Sequence, residues 1–183
     1  MALTTHWEWR AFGAVSPRLE ARFGALREAY GESAPQHLVD EYLWTPEIEL
    51  NIKFRNGARQ DGLKLKRFHE RYGDFEKWTE SPEEIFPLPL TPAAEALIPR
   101  DSQRIRVVKE RRAKIWGQHV KVELARISAP VETTSIGLEI LNRAGQVEDA
   151  RAISLLSAAV QDLDLGKEQL EVMNYLRWID RIL

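Results

Sequence analysis

Ile48-Glu49-Leu50-Asn51-Ile52-Lys53-Phe54-Arg55 alternates apolar and polar side chains without a break. A strand has a side-chain period of two, so Glu49, Asn51, Lys53 and Arg55 share one face and the apolar residues the other. Leu63-Lys64-Leu65-Lys66 repeats the pattern, and the Asn56-Gly57 and Asp61-Gly62 pairs between the two runs are hairpin signals. Further along, Lys109 and Arg111 fall in phase with Ile105 and Val107, while Lys121 and Glu123 alternate with Val120, Val122 and Leu124. Near the start, His6, Glu8 and Arg10 alternate with Trp7 and Trp9. Two arrangements satisfy this pattern. A flat sheet lays its apolar face on a core and its charged face in water. A closed sheet packs its apolar faces outward against helices and turns its charged faces toward a polar interior.

The closed arrangement has chemical consequences, because a buried charge without a partner is costly and such an interior must hold water, countercharges or a ligand. Arg10, Lys53, Arg55, Lys64, Lys66, Lys109 and Arg111 would dominate it, and clustered guanidinium and ammonium groups suit a string of phosphates. Glu8, Glu123 and Glu139 on neighbouring strands would then hold a hard divalent cation that bridges carboxylate and phosphate oxygens.

Charge distribution fits this. The 183 residues carry a formal net charge of −2, yet positions 51–126 hold 17 Lys+Arg against 11 Asp+Glu and the rest holds 9 against 17. The basic excess therefore coincides with the strand signals, as expected of a surface or cavity built for an anion. There is no Cys, which removes disulfides, thiolate nucleophiles and Cys-ligated metal together. No apolar run approaches the roughly 18 residues of a membrane span, and Met1 to Trp7 lacks a basic segment leading into an apolar one. The expectation is a cytoplasmic chain with no membrane partner, folded as a single domain over 1–183.

The remaining segments predict what surrounds the strands. Ser16-Pro17 reads as an N-cap and first helical position, with Leu19, Phe23, Leu26 and Tyr30 on one face of a helix ending at Gly31. Other strands are expected at His37–Trp44, Phe75–Trp78, Gln103–Trp116, Gln118–Ile127 and Thr133–Leu141, with a short helix at Pro92–Ile98 in a proline-rich connection. Leu155, Leu156, Ala159, Val160 and Leu163, then Leu170, Met173, Leu176, Ile179 and Leu183, predict two amphipathic helices divided near Gly166. Residues 145–183 are thus expected as a helical extension packed on the sheet. The class is α+β, with a large antiparallel sheet or barrel.

His6-Trp7-Glu8-Trp9-Arg10 resembles the N-terminal Glu-x-Glu-x-Lys signature of the CYTH superfamily, the triphosphate tunnel metalloenzymes. Later segments are similar to the family's pattern in order: Asp40-Glu41-Tyr42-Leu43, Ile52-Lys53-Phe54-Arg55, Leu63-Lys64-Leu65-Lys66, Val108-Lys109-Glu110-Arg111, Val122-Glu123-Leu124 and Ser135-Ile136-Gly137-Leu138-Glu139. The resemblance implies a closed antiparallel tunnel barrel of about eight strands, Mg²⁺ or Mn²⁺, and hydrolysis of an inorganic or organic triphosphate by water. Carried over by position, it implies Glu8 and Arg10 as catalytic residues. Arg10, Lys53, Arg55, Lys64, Lys66, Lys109 and Arg111 would bind substrate, and Glu8, Glu123 and Glu139 the metal. The departures are His6 for the first Glu, Arg10 for the Lys, and Leu141 where a second late carboxylate often stands. They leave open a non-catalytic module that binds polyphosphate or a phosphorylated ligand.

Competing chemistries lack support. His37, His69 and His119 are scattered, and no Gly-rich phosphate loop or Gly-x-Ser-x-Gly turn is present. Arg111-Arg112-x-Lys114 splits between two strand faces, which argues against nucleic acid as partner. Trp7 and Trp9, opposite the charged face, are expected to pack beneath the helices rather than to stack on bases.

Overall fold

Where side chains alternate, the chain forms long antiparallel strands. The computed structural model describes residues 4–29, 34–46, 49–56, 62–80, 86–87, 91–141 and 147–183. The order is β1 (Thr4–Ala14), α1 (Pro17–Ala25), β2 (Arg27–Glu28), β3 (Gln36–Trp44), β4 (Leu50–Asn56), β5 (Gly62–Tyr72), β6 (Phe75–Glu80), β7 (Phe86–Pro87), α2 (Pro92–Glu95), β8 (Gln103–Trp116), β9 (Val120–Ala129), β10 (Thr133–Ile140), α3 (Asp149–Asp162), β11 (Gln169–Val172) and α4 (Tyr175–Ile182).

Eight strands close a ring. From β1 it runs through β10, β9, β8, β3, β4, β5 and β6 and back to β1, every pairing antiparallel. The short β2, β7 and β11 add to β8, β5 and β1. Closure rather than a flat sheet is thus the arrangement adopted, and it removes the open edges a flat sheet would expose.

Period two then sorts the side chains. Trp7, Trp9, Val122, Leu124, Ile136 and Leu138 point outward into a core completed by Leu19 and Phe23 of α1 and Ala152, Leu156 and Ala159 of α3. Both tryptophans are therefore packing residues, as expected, and Trp7 Nε1 donates to Asp149 Oδ1 at 2.8 Å. A second outer cluster joins Leu43, Ile52 and Leu63.

Four details differ from the sequence reading. The helix expected to run to Gly31 stops at Ala25, because Leu26 turns extended and Arg27–Glu28 pairs with β8, so a tertiary strand contact overrides the helical periodicity. Gly31 itself lies outside the described residues, as do Gly57 and Asp61 of the expected hairpin turn, although β4 and β5 do pair with Lys53 opposite Lys64. The helix expected over Pro92–Ile98 is a single turn, Pro92–Glu95. The last expected helix loses its first part to β11. That strand takes the edge of β1 from Ala11 to Ala14, which β6 leaves after Glu8. Gly13 permits the approach: its φ is +147°, and a Cβ there would lie 2.2 Å from the Gln169 carbonyl oxygen.

The fourth difference decides the shape of the interior. α1 and α3 lie outside the barrel as expected, but α4 enters one end of it. Tyr175, Leu176, Trp178 and Ile179 are buried with Phe12, Tyr42, Trp78, Val107 and Ile127. The Tyr175 ring lies 5.1 Å from the Phe12 ring on β1 and 5.4 Å from the Tyr42 ring on β3. Those two strands are diametrically opposed in the ring, with three strands between them either way. One residue of α4 therefore spans the bore. Asn174 fixes the helix start by accepting from Arg177 N at 3.0 Å.

Candidate functional site

Above the aromatic floor the inward positions turn polar and enclose a cavity of about 120 Å³. Its lining contains eight Lys or Arg side chains and four glutamates, an excess of positive charge. Every substrate-binding residue expected from the sequence (Arg10, Lys53, Arg55, Lys64, Lys66, Lys109 and Arg111) lines it, as do Glu8, Glu123 and Glu139. Lys121, Asn51, Tyr42, Asn174, Tyr175 and Glu80 line it alongside them.

Strand register also sets two like-charge pairs face to face. Glu8 stands opposite Glu139, and Lys53 opposite Lys64. Like charges facing across a ladder are destabilising, so each pair requires opposite charge from elsewhere.

On the cationic side that charge comes from Asp40, fully buried, which binds Lys53 Nζ at 3.1 Å, Arg55 Nε at 2.9 Å and Lys109 Nζ at 2.9 Å. One carboxylate thus serves three cations. Burial pushes its carboxyl upward, but Lys109, Lys53 and Arg55 together hold it well below the usual carboxylate range. Burial also pulls the Lys53 ammonium well below its ordinary range, with Asp40 opposing and Arg55 and Lys109 reinforcing the fall. Tyr42 accepts from Lys53 at 3.2 Å, and the Tyr175 ring lies 4.6 Å beneath Lys109 and 4.8 Å beneath Arg10.

Glu123 plays the same part on the next wall. Its two oxygens take Arg10 at 3.2 Å and Arg111 at 3.3 Å, and it too is held well below the normal range: burial works upward and the two guanidiniums outweigh it. Arg10 stands opposite Gly137 on β10, where a Cβ would lie 2.6 Å from the guanidinium, so the glycine makes room for it. Among the described residues, two buried polar atoms of the lining, Arg111 Nε and Asn51 Oδ1, have no hydrogen-bond partner. A phosphate oxygen suits the first of them.

The acidic side lies around His6. Nε2 of His6 is 3.6 Å from Glu8 and 3.9 Å from Glu139, and Lys66 reaches Glu8 at 3.3 Å and Glu80 at 3.4 Å. Burial raises the Glu8 carboxyl, but Lys66, His6 and Arg10 bring it down to about 2. Glu139, ion-paired with Lys121, is likewise lowered against its burial. One donor atom each from His6, Glu80 and Glu139 lies within 4.8 Å of the others, close enough to share one cation. The acidic residues expected around a metal are therefore divided: Glu8 and Glu139 stand here, whereas Glu123 accepts from Arg10 and Arg111.

Sequence reasoning missed Asp40, Glu80 and Tyr175 as site residues. Asp40 carried a signal, since it shares a strand face with Leu38 and Tyr42, an inward position that only paired charge tolerates. Tyr175 carried none, because nothing local reveals that its helix enters the barrel.

No family model matches the sequence, and comparison with curated proteins finds no relative. Solved structures do match. The PH1819 protein of Pyrococcus horikoshii OT3 superposes with a TM-score of 0.61 at 15% identity, over 96% of this chain and 99% of its own. A proposed adenylate cyclase of Bacillus halodurans gives 0.58 at 15%, over 94% and 97%. HpAC1 of Hippeastrum, a proposed adenylyl cyclase described as having a dominant triphosphatase activity, gives 0.51 at 15%, over 87% and 88%. These likenesses show the fold: the chain shares with these proteins the closed eight-stranded antiparallel barrel expected from its sequence.

Proposed function

We propose that this protein binds a short inorganic polyphosphate or an organic triphosphate in the barrel cavity and hydrolyses a phosphoanhydride bond with the help of a divalent cation. One observation carries the reading: buried cations outnumber the carboxylates that organise them, three on Asp40 and two on Glu123, so the cavity is left with charge for a polyanion. Triphosphatase activity described for HpAC1, which shares the fold, points the same way.

Arg10, Arg55, Lys64, Lys109 and Arg111 would hold the phosphate oxygens. Arg10 stays charged throughout, because burial against it is outweighed by Glu123, so it stabilises charge and does not shuttle protons. Glu8, with a carboxyl near 2, is ionised at neutral pH and able to orient the attacking water. The donor set fits a cation: His6, Glu80 and Glu139 would hold Mg²⁺ or Mn²⁺, with Glu8 beside them 3.6 Å from His6, and the imidazole favours Mn²⁺ of the two. When bound, the cation would neutralise phosphate charge as the bridging P–O bond breaks.

A second reading, an anion-binding module without turnover, is supported by the Lys66 ammonium among the metal-ligating side chains. Phosphate release from tripolyphosphate, ATP and thiamine triphosphate with Mg²⁺ or Mn²⁺ separates the two. Turnover establishes the enzyme. Thermal stabilisation by tripolyphosphate without turnover establishes the module, and neither response refutes both.

A further inference from the structure

The acidic side of the cavity already encloses a positive charge. Lys66 Nζ lies 3.2 Å from His6 Nε2, 3.3 Å from Glu8 Oε2 and 3.4 Å from Glu80 Oε1. An ammonium has three N–H donors and no acceptor, and here three acceptors from two other strands surround it. Strand register makes this unavoidable: Lys66 and Glu80 are directly opposed on β5 and β6, and Glu80 in turn pairs with Thr4, two residues before His6 on β1. Glu8, Glu80 and Glu139 outweigh burial and keep the side chain of Lys66 charged. An ammonium can only donate, so a Lys66–His6 hydrogen bond uses the Nε2 lone pair of the neutral imidazole, the same lone pair that any metal would need.

The balance of charge points in the same direction. Three carboxylates face Lys66, with Lys121 on Glu139 and Lys64 3.8 Å from Glu80. Among the described residues the three carboxylates already face the ammonium groups of Lys64, Lys66 and Lys121, so a divalent ion entering this group meets positive charge in place.

We propose that Lys66 is a built-in counter-cation that competes with divalent metal for His6, Glu8, Glu80 and Glu139. Metal enters by displacing the ammonium, and the displaced ammonium turns to an anion in the cavity. Metal alone therefore binds weakly, and metal with polyphosphate binds cooperatively. This rests on the reading of the cavity as a polyphosphate site, but its test on metal alone does not.

Isothermal titration with MnCl₂, supported by Mn²⁺ paramagnetic resonance, compares the wild type with Lys66→Met and Lys66→Arg, each checked for folding by its thermal melt. Lys66→Met is expected to bind Mn²⁺ at least about tenfold more tightly than wild type, since one positive charge leaves the site. Lys66→Arg, which keeps the charge, is expected to stay weak, and adding His6→Ala to Lys66→Met should remove the gain. Equal Mn²⁺ affinity in wild type and Lys66→Met overturns the proposal. Should Lys66→Met fail to fold, Lys66→Gln provides the same comparison. Absence of tripolyphosphate binding in every protein would refute the functional reading instead, and the Mn²⁺ comparison would still decide the role of Lys66.

Discussion

Asp40 holds three cations with two oxygen atoms, and most of the site's organisation follows from that ratio. Replacing it with Asn would leave Lys53, Arg55 and Lys109 repelling one another in a dry interior. Asp40→Asn is expected to destabilise the fold by about 3 kcal/mol or more. Tripolyphosphate should stabilise this variant by more degrees than it stabilises the wild type, because the anion replaces the missing charge. Thermal melts with and without tripolyphosphate check this, and equal shifts would place the anion elsewhere. Gly137 is the second telling residue. Gly137→Ala would push the Arg10 guanidinium off Glu123 and weaken tripolyphosphate binding by about tenfold, the scale of one charged hydrogen bond, with little change in melting temperature.

Acid stability is set by the same carboxylates. Asp40, Glu8, Glu123 and Glu139 all have folded-state pKa values below their unfolded ones, so each contributes stability that is fully present above about pH 4.5. That contribution fades as pH falls, for Glu8 toward about 2. Tryptophan fluorescence followed from pH 7 to pH 1.5 should show the fold retained at pH 4 and lost well below it. An acid transition at pH 5 would show that these carboxylates are not paired in solution.

Among the elements, α4 matters most. Its buried face joins opposite walls of the barrel, and Trp178 stacks on Phe12 with centroids 5.0 Å apart. Trp178→Ala is expected to cost about 3–5 kcal/mol in denaturant melts. Tyr175→Phe removes a hydroxyl that bonds Ser135 at 3.1 Å and accepts from Lys109 at 3.4 Å, and should cost about 1 kcal/mol. The two variants separate what α4 does for the fold from what it does for the cavity floor. Its helical spacing was legible in the sequence. Its destination was not, because an amphipathic face states only that it needs an apolar partner. β11 shows a related gap: Leu170 and Met173 keep helical spacing with Leu176, yet the vacant edge of β1 draws Gln169–Val172 into a strand. Among the described residues, no helix is long and apolar enough to cross a membrane.

For the whole molecule, a formal charge of −2 coexists with a basic interior. Such a molecule attracts polyanions through the local field of its cavity, not through its net charge. Tripolyphosphate affinity is therefore expected to fall as NaCl rises from 50 to 500 mM, but less steeply than for an exposed basic patch, because buried charges are poorly screened. Affinity measured across that range checks the expectation, and complete loss by moderate salt would point to surface binding.

What the sequence determined by itself was the division of each strand into a charged and an apolar face, because side-chain alternation depends only on backbone geometry. That was enough to place Lys53, Arg55, Lys64 and Lys66 on the polar faces of their strands, whereas Lys109 and Arg111 share a face with Ile105 and Val107. Only the tertiary structure decided that the sheet closes, which carboxylate meets which cation, and that Tyr175 forms the floor. Those outcomes depend on register and on contacts between residues far apart in the chain, such as Asp40 with Lys109 and Ser135 with Tyr175, and alternation within one strand carries no information about its neighbour.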